Sequence, residues 1–514
     1  MPPDLPGFYY DPEKNRYFPL KGPIPGSVRK TAPVQNSVSE ATEVRSFLRK
    51  AIRNAKLLQD RELYGNIIST RKRKGSFQEE YMKTLVSRPM VWKYQGTKKN
   101  ANAALGLMHA NVETPVGQFG TDFLLTGGAN GSLSLFEVGK KGQQFCHAQK
   151  QTAMRIWPST IDSQKEFCKD LKHIWKLSNG ASFLCSSNIS CISMPRKQAF
   201  HPENDASTAS FAVVTTLGSE SCSGALYVLN LGNPLELNSQ SPVIGRSLEV
   251  ASLNCTIWTA DCNSSGSKAV IGTNLGVTSV NLETGVPLTL CRSKSDVLCL
   301  QLIQSGNIAL CGFRNGAILT VDSRQRQRQL ARHHIPYPSP KLCGTSSRTS
   351  STRDKPWFVL RGHIHPSDTI YMPSSVSCLA SLQLYDQYFL ASSMDGSIKL
   401  YDHRLIQRGA IQSYEGHVNS HTRIHLGVDT YERFVLSGGE DSSVGIWSIK
   451  SGELLYRDKF SNSIPSAVSW QLSEESPKVP IGRERDEDEC QGGRDHIWGA
   501  WLGSEEGLFW MQFM

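Results

Sequence analysis

Phe434-Val435-Leu436-Ser437-Gly438-Gly439, a turn at Asp441-Ser442, then Val444-Gly445-Ile446-Trp447, is the most telling stretch of the chain. Short apolar runs rich in β-branched and aromatic residues, separated by Gly, Asp and Ser, read as a β-hairpin. The same sentence recurs. Phe123-Leu124-Leu125-Thr126-Gly127-Gly128 turns at Asn130-Gly131 into Ser132-Leu133-Ser134-Leu135-Phe136. Asn307 to Gly312 turns at Asn315-Gly316 into Ile318 to Asp322, and Phe389 to Ser393 turns at Asp395-Gly396 into Ile398 to Asp402. Fainter copies run from Phe211 to Tyr227, Ala269 to Val280 and Ile497 to Trp510.

The aligned ends fall at 136, 227, 280, 321, 401, 447 and 510. Intervals of 41, 46 and 53 residues bracket the length of a propeller blade, and intervals of 91, 80 and 63 require insertions. Seven such units suit a closed ring, so the predicted fold is all-β, a seven-bladed β-propeller. Composition shifts place the insertions at 140–186, at the Arg/Ser/Pro-rich stretch 324–356, and at 473–493 around Asp486-Glu487-Asp488-Glu489.

The 514 residues exceed one ordinary domain, and 39% apolar content supports a large core. With 42 Gly and 25 Pro, many turns are expected rather than a coiled coil. No apolar run approaches a membrane span, Met1-Pro2-Pro3-Asp4 starts no signal peptide, and the 13 Cys include no Cys-x-x-Cys pair. A soluble protein of the nucleus and cytoplasm with reduced cysteines is expected. Residues 1–94 carry 18 Lys or Arg against 9 Asp or Glu, whereas the rest carry 38 against 37. Basicity therefore belongs to the N-terminal part and the propeller is nearly neutral.

That part divides into a Pro/aromatic tail, 1–36, and a basic helical extension, 37–94, before the propeller at 95–514. The tail carries Phe8-Tyr9-Tyr10 and Arg16-Tyr17-Phe18, which either dock on the protein's own surface or form a partner motif. From Ser39, apolar residues including Phe47, Ile52 and Leu58 recur at three- and four-residue spacing, predicting an amphipathic helix over 39–63. Its apolar face either folds back on the propeller, enters a partner's groove, or lies on a membrane or RNA. Arg71-Lys72-Arg73-Lys74 is either an import signal or a solvated linker.

Tests for chemistry return little. The chain has no phosphate loop, Gly-x-Ser-x-Gly elbow or His-Glu-x-x-His helix. His417, His421 and His425 would align as metal ligands only on a helix, and the repeat puts them in a loop and a strand. No carboxylate set recurs across the blades. The expectation is a non-enzymatic interaction protein with no catalytic residue, cofactor or metal. The basic stretch Arg324 to Arg328 with Arg332, His333 and His334 either meets phosphate or is a solvated insertion.

Gly416-His417, Ser437, Asp441 and Trp447 occupy the places of the hydrogen-bonded residues that lock WD40 blades, where a buried imidazole bridges an acceptor and a hydroxyl. Gly362-His363 is a poorer match. Val321-Asp322-Ser323-Arg324 and Tyr401-Asp402-His403-Arg404 each place an Arg two residues beyond the Asp that ends a strand. Alternation puts both side chains on one side of the ribbon, so each Arg either pairs with its own Asp or anchors another protein.

These endings resemble the Trp-Asp-x-Arg box of WD40 substrate receptors of cullin-4 RING ubiquitin ligases, with Val321 and Tyr401 in place of Trp. Pro6 to Phe18 and Tyr414-Glu415-Gly416-His417-Val418-Asn419 resemble stretches of the cullin-4 associated factor 4 group of WD-repeat proteins. The resemblance implies that Asp322, Arg324, Asp402 and Arg404 bind the damage-specific DNA-binding adaptor. It also implies that a preceding helix, here with Phe47, Ile52 and Leu58, assists. The expected function is to present an unidentified protein for ubiquitination, without direct nucleic-acid or membrane binding. The alternatives are a WD40 scaffold in nuclear RNA or ribosome assembly, and a reader of basic or modified peptides such as histone tails.

Overall fold

The computed structural model describes residues 8–11, 16–19, 67–70, 73–114, 117–139, 148–158, 173–177, 182–195, 211–219, 222–230, 235–236, 247–303, 306–324, 332–336, 357–362, 369–471 and 498–513. Met1–Tyr81 and Met82–Met514 are two compact units. In the first, Phe8–Asp11 pairs with Arg16–Pro19, setting Tyr9 opposite Phe18 and Tyr10 opposite Tyr17. Ile67–Thr70 pairs with Arg73–Ser76, which contains the second half of the basic run. Arg71 and Lys72 lie outside the described residues, as do the predicted helix over 39–63 and the acidic loop at 486–489.

The second unit holds seven antiparallel blades. Their second and third strands are the predicted hairpins: Gly117–Gly127 with Ser132–Gly139 (blade 1), Phe211–Thr216 with Gly224–Asn230 (blade 2) and Lys268–Thr273 with Gly276–Asn281 (blade 3). Ile308–Phe313 with Ala317–Asp322 (blade 4), Tyr388–Ser393 with Ile398–Asp402 (blade 5), Phe434–Gly438 with Ser443–Ser448 (blade 6) and Gly499–Ser504 with Gly507–Phe513 (blade 7) follow. All seven positions taken from the repeat fall on the third strand of a blade.

Each blade is covered on both faces, which explains the continuous apolar runs. Along Phe434–Gly438, Phe434 and Leu436 pack into the seam with blade 7 while Val435 packs into the seam with blade 5. The buried core is accordingly divided into seven clusters, one at each seam. Glycines at the ends of second strands admit the neighbouring blade's backbone. A Cβ on Gly438 would lie 2.0 Å from Pro465 O, and one on Gly503 equally close to Ala101 O.

The ring closes between chain segments at opposite ends of the sequence. Pro89–Tyr94 pairs with Gly507–Phe513, placing Trp92 opposite Trp510. The predicted boundary at 94/95 is thus corrected: Met82 and Val86 of the helix Phe77–Val86 are buried in the blade 6/7 seam, and the strand after it completes blade 7. The insertion 140–186 is also more than a loop. Its Ala153–Trp157 adds a fifth strand to blade 7, and His173–Leu177 returns as the fourth strand of blade 1. The stretch 324–356 begins a hairpin, Arg332–Pro336 with Trp357–Gly362, that extends the outer edge of blade 3.

Candidate interaction site at the ends of blades 4 and 5

In an antiparallel blade, the turns between first and second strands and between third and fourth strands share one end. Both Asp-x-Arg endings lie at that end, on consecutive blades. The residue between Asp and Arg fastens each turn: Ser323 N–H donates to Asn307 O (2.8 Å) and His403 N–H to Gln387 O (3.0 Å). The hydroxyl of Ser323 adds a bond to Asn307 O at 2.7 Å.

The two endings are built alike. Arg324 donates from Nε to Asp322 Oδ1 (3.1 Å) and from Nη2 to Oδ2 (2.9 Å), with its amide also on Oδ1 (2.9 Å). Arg404 repeats this on Asp402 with 3.1, 2.9 and 2.8 Å. The guanidinium hydrogen bonds hold both carboxyls below their usual range. Each Arg therefore pairs with its own Asp, yet their side chains remain 63% and 64% exposed, whereas that of Asp402 is only 3% exposed. The pairing thus fixes the guanidinium while leaving much of it open to a partner.

The residues standing in for Trp are buried. Val321 packs into the blade 3/4 seam, and Tyr401 stacks on Phe389 at 5.5 Å while its hydroxyl reaches Met372 Sδ at 3.0 Å. The turns that flank Arg404 also expose apolar side chains among polar ones such as Gln383 and Asp386. Leu384 and Tyr385 in the first turn, and Leu405 and Ile411 in the second, are four large hydrophobic residues exposed at one end of one blade. The motif reading missed them, because each is unremarkable alone and only the two turns together make a patch.

The lock residues meet in blade 6. His417 Nε2 lies 2.9 Å from Gly438 O and 3.3 Å from Ser437 Oγ, while Trp447 Nε1 donates to Glu415 O at 2.7 Å. Asp441 is used elsewhere, accepting from Ser443 Oγ (2.6 Å) and Arg457 Nη2 (2.8 Å). Burial pushes the His417 imidazole below its usual value, favouring the neutral ring. Of the other two histidines, the exposed His421 lies 3.3 Å from the largely covered Glu440, and His425 is pushed down to about 3 by burial and Arg423. Among the described residues no three metal-ligating side chains converge.

A match to the family "WD domain, G-beta repeat" covers residues 355–402, which include the blade 5 hairpin. The chain is 30% identical over 163 residues to "DDB1- and CUL4-associated factor 4" of Homo sapiens, covering 32% of this chain and 26% of that protein. The Bos taurus protein of the same name is 28% identical with the same coverage. "DDB1- and CUL4-associated factor 4-like protein 2" of Homo sapiens is 37% identical over 81 residues, 15% of this chain and 20% of that one. The chain spans about a quarter of the length of the first two relatives. Among solved structures, the computationally designed Ika8 protein aligns with 82% of this chain and 98% of its own at a TM-score of 0.42 and 14% identity, too loosely to bear on function. The chain is a seven-bladed β-propeller that carries a WD40 repeat match at residues 355–402 and is similar over about a third of its length to DDB1- and CUL4-associated factor 4.

Proposed function

We propose that the chain is a non-catalytic substrate-recognition subunit of a cullin-4 RING ubiquitin ligase, docking on the DDB1 adaptor through the ends of blades 4 and 5. The observation that carries this reading is the repeated Asp-x-Arg geometry on adjacent blades, beside the exposed Leu384, Tyr385, Leu405 and Ile411. A cation held by its own carboxylate loses little side-chain freedom on docking, and apolar neighbours exclude water around it. In this role the subunit supplies proximity and orientation, and ligase chemistry belongs to the RING and its charged conjugating enzyme.

The test is affinity purification of tagged full-length protein, with DDB1 and cullin-4 expected as stoichiometric partners. Arg324→Ala with Arg404→Ala should reduce adaptor affinity by about 2 kcal/mol or more, roughly thirtyfold. Since Arg404→Ala also strips the nearly buried Asp402 of a partner, Tyr385→Ala with Leu405→Ala serves as a second variant that leaves both ion pairs in place. Wild-type adaptor recovery with both folded double variants would reject the docking site. Salt separates the rival reading: RNA binding by an assembly scaffold should fall steeply between low and physiological salt, whereas docking of the propeller on the adaptor should lose little.

A further inference from the structure

In blade 6 the turn between the first strand, Leu426–Val428, and the second, Phe434–Gly438, lies at the same end of the ring as the Asp-x-Arg turns. Glu432 stands in it with φ +53°, a left-handed backbone that a residue with a Cβ adopts only where its surroundings impose it. Here they do. The Glu432 amide donates to Asp429 O (2.8 Å), and Asp429 Oδ2 accepts from Arg433 Nε (3.1 Å). The Arg433 guanidinium in turn lies over the rings of Tyr431 (4.6 Å) and Trp498 (5.5 Å). Held in this way, the Glu432 side chain reaches out of its own blade and into blade 5.

There its carboxylate receives two amides of the turn between the first and second strands, Gln383 N–H on Oε1 and Tyr385 N–H on Oε2 (3.2 Å). Other seams use comparable bonds differently. Asp261 of blade 3 accepts the amide of Leu302 (2.8 Å), and Gln301 of blade 4 accepts the amide of Ser381. Leu302 and Ser381 belong to the strands Val297–Ile303 and Val376–Ser381, so those bonds fasten one blade to the next. Gln383 and Tyr385 lie beyond the strand, and the bonds from Glu432 set the shape of a turn tip instead. The far side of that tip is held by His403, whose Nε2 lies 2.5 Å from Asp386 O, and Tyr388 N–H closes it on Tyr385 O (2.8 Å).

Leu384 stands between the two captured amides. It and Tyr385 are 42% and 53% exposed, whereas Glu432 is 8% exposed. A carboxylate so covered and so occupied acts on the surface only through the side chains that it orients. Apolar anchors displayed on a turn that is already fixed lose less freedom on docking.

We propose that Glu432 is a positioning residue for docking: by receiving the amides of Gln383 and Tyr385 it presets the blade 5 turn, so that Leu384 and Tyr385 stand out beside Arg404 and the docking surface draws on blades 4 to 6. The inference rests on the adaptor reading above and adds to it a residue that acts without touching the partner.

Glu432→Gly suits a φ of +53°, so it preserves the blade 6 turn while removing the carboxylate. Full-length Glu432→Gly should bind purified DDB1 about tenfold more weakly than wild type, and its segment 383–387 should exchange amide hydrogens faster. In a background of Leu384→Ala with Tyr385→Ala, the same change should weaken binding by less than about twofold, since no anchor is left to position. A merely structural role would weaken binding equally in both backgrounds. If Glu432→Gly does not fold, Glu432→Gln keeps the shape of the side chain and one acceptor oxygen, and its NH2 group cannot accept the second amide. It should show the same loss, again only where Leu384 and Tyr385 are present. Unchanged affinity or unchanged exchange in the folded variant, or an equal loss in both backgrounds, would overturn the proposal. Failure of the unsubstituted protein to bind DDB1 would overturn the adaptor reading along with it, whereas wild-type binding that Glu432→Gly leaves intact would overturn this proposal alone.

Discussion

Glu137 shows how far one side chain departs from what its neighbours in sequence suggest. It sits in the third strand of blade 1, fully buried, with neither carboxylate oxygen hydrogen-bonded. Burial raises its pKa to about 7. The folded value lies above the ordinary 4.5, so the folded state binds the proton more tightly and stability falls as pH rises from 4.5 towards 7. Glu137→Gln should therefore stabilise the protein by ~2 kcal/mol at pH 8 and by almost nothing at pH 4, as read from denaturant melts at the two pH values. The blade lock was easier to foresee. His417, Ser437 and Trp447 were legible from position in the repeat, but Asp441 binds Ser443 and Arg457, a choice that depends on Arg457 reaching across from the fourth strand.

Among elements, Pro89–Tyr94 carries the largest consequence. As a segment it is six residues at the end of a basic stretch, with no partner strand nearby in sequence, so it was assigned to the extension. In the ring it buries Val91, Trp92 and Tyr94 and joins the chain's first blade-forming strand to its last. A truncation beginning at Met82 should keep cooperative unfolding, because it retains the closing strand. One beginning at Gln95 should lose that cooperativity, since it opens an edge on blade 7 and exposes the indole of Trp510. Circular dichroism melts of the two truncations check this, and equal melting temperatures would mean that the closing strand contributes nothing.

For the ring as a whole, insertions matter by what they pair with and not by their length. The stretch 140–186 contains Ala153–Trp157 on blade 7 and the buried Ile174 and Trp175 on blade 1, so it ties adjacent blades together. The hairpin Arg332–Pro336 with Trp357–Gly362 only lengthens the outer edge of blade 3. Replacing 325–368 by a short Gly/Ser linker should shift the melting temperature by less than about 5 °C, whereas the same replacement of 140–186 should prevent cooperative folding. Comparable melts for the two deletions would refute the distinction.

The repeat was readable because a blade hairpin is a local object. Apolar alternation, a polar turn and a glycine at the strand end all lie within a window of about twenty residues. That window fixed the all-β class, the seven units and the positions of Arg324 and Arg404 at strand exits. It did not contain the closure of Trp92 on Trp510, the excursion of 153–157 to blade 7, or the reach of Glu432 to the amides of Gln383 and Tyr385. Each of these joins residues far apart in the chain, and the ring alone brings them to hydrogen-bonding distance. Whether a carboxylate meets the arginine two residues along its own chain, as at blades 4 and 5, or the backbone amides of a neighbouring blade, as Glu432 does, follows from which turns the ring sets side by side.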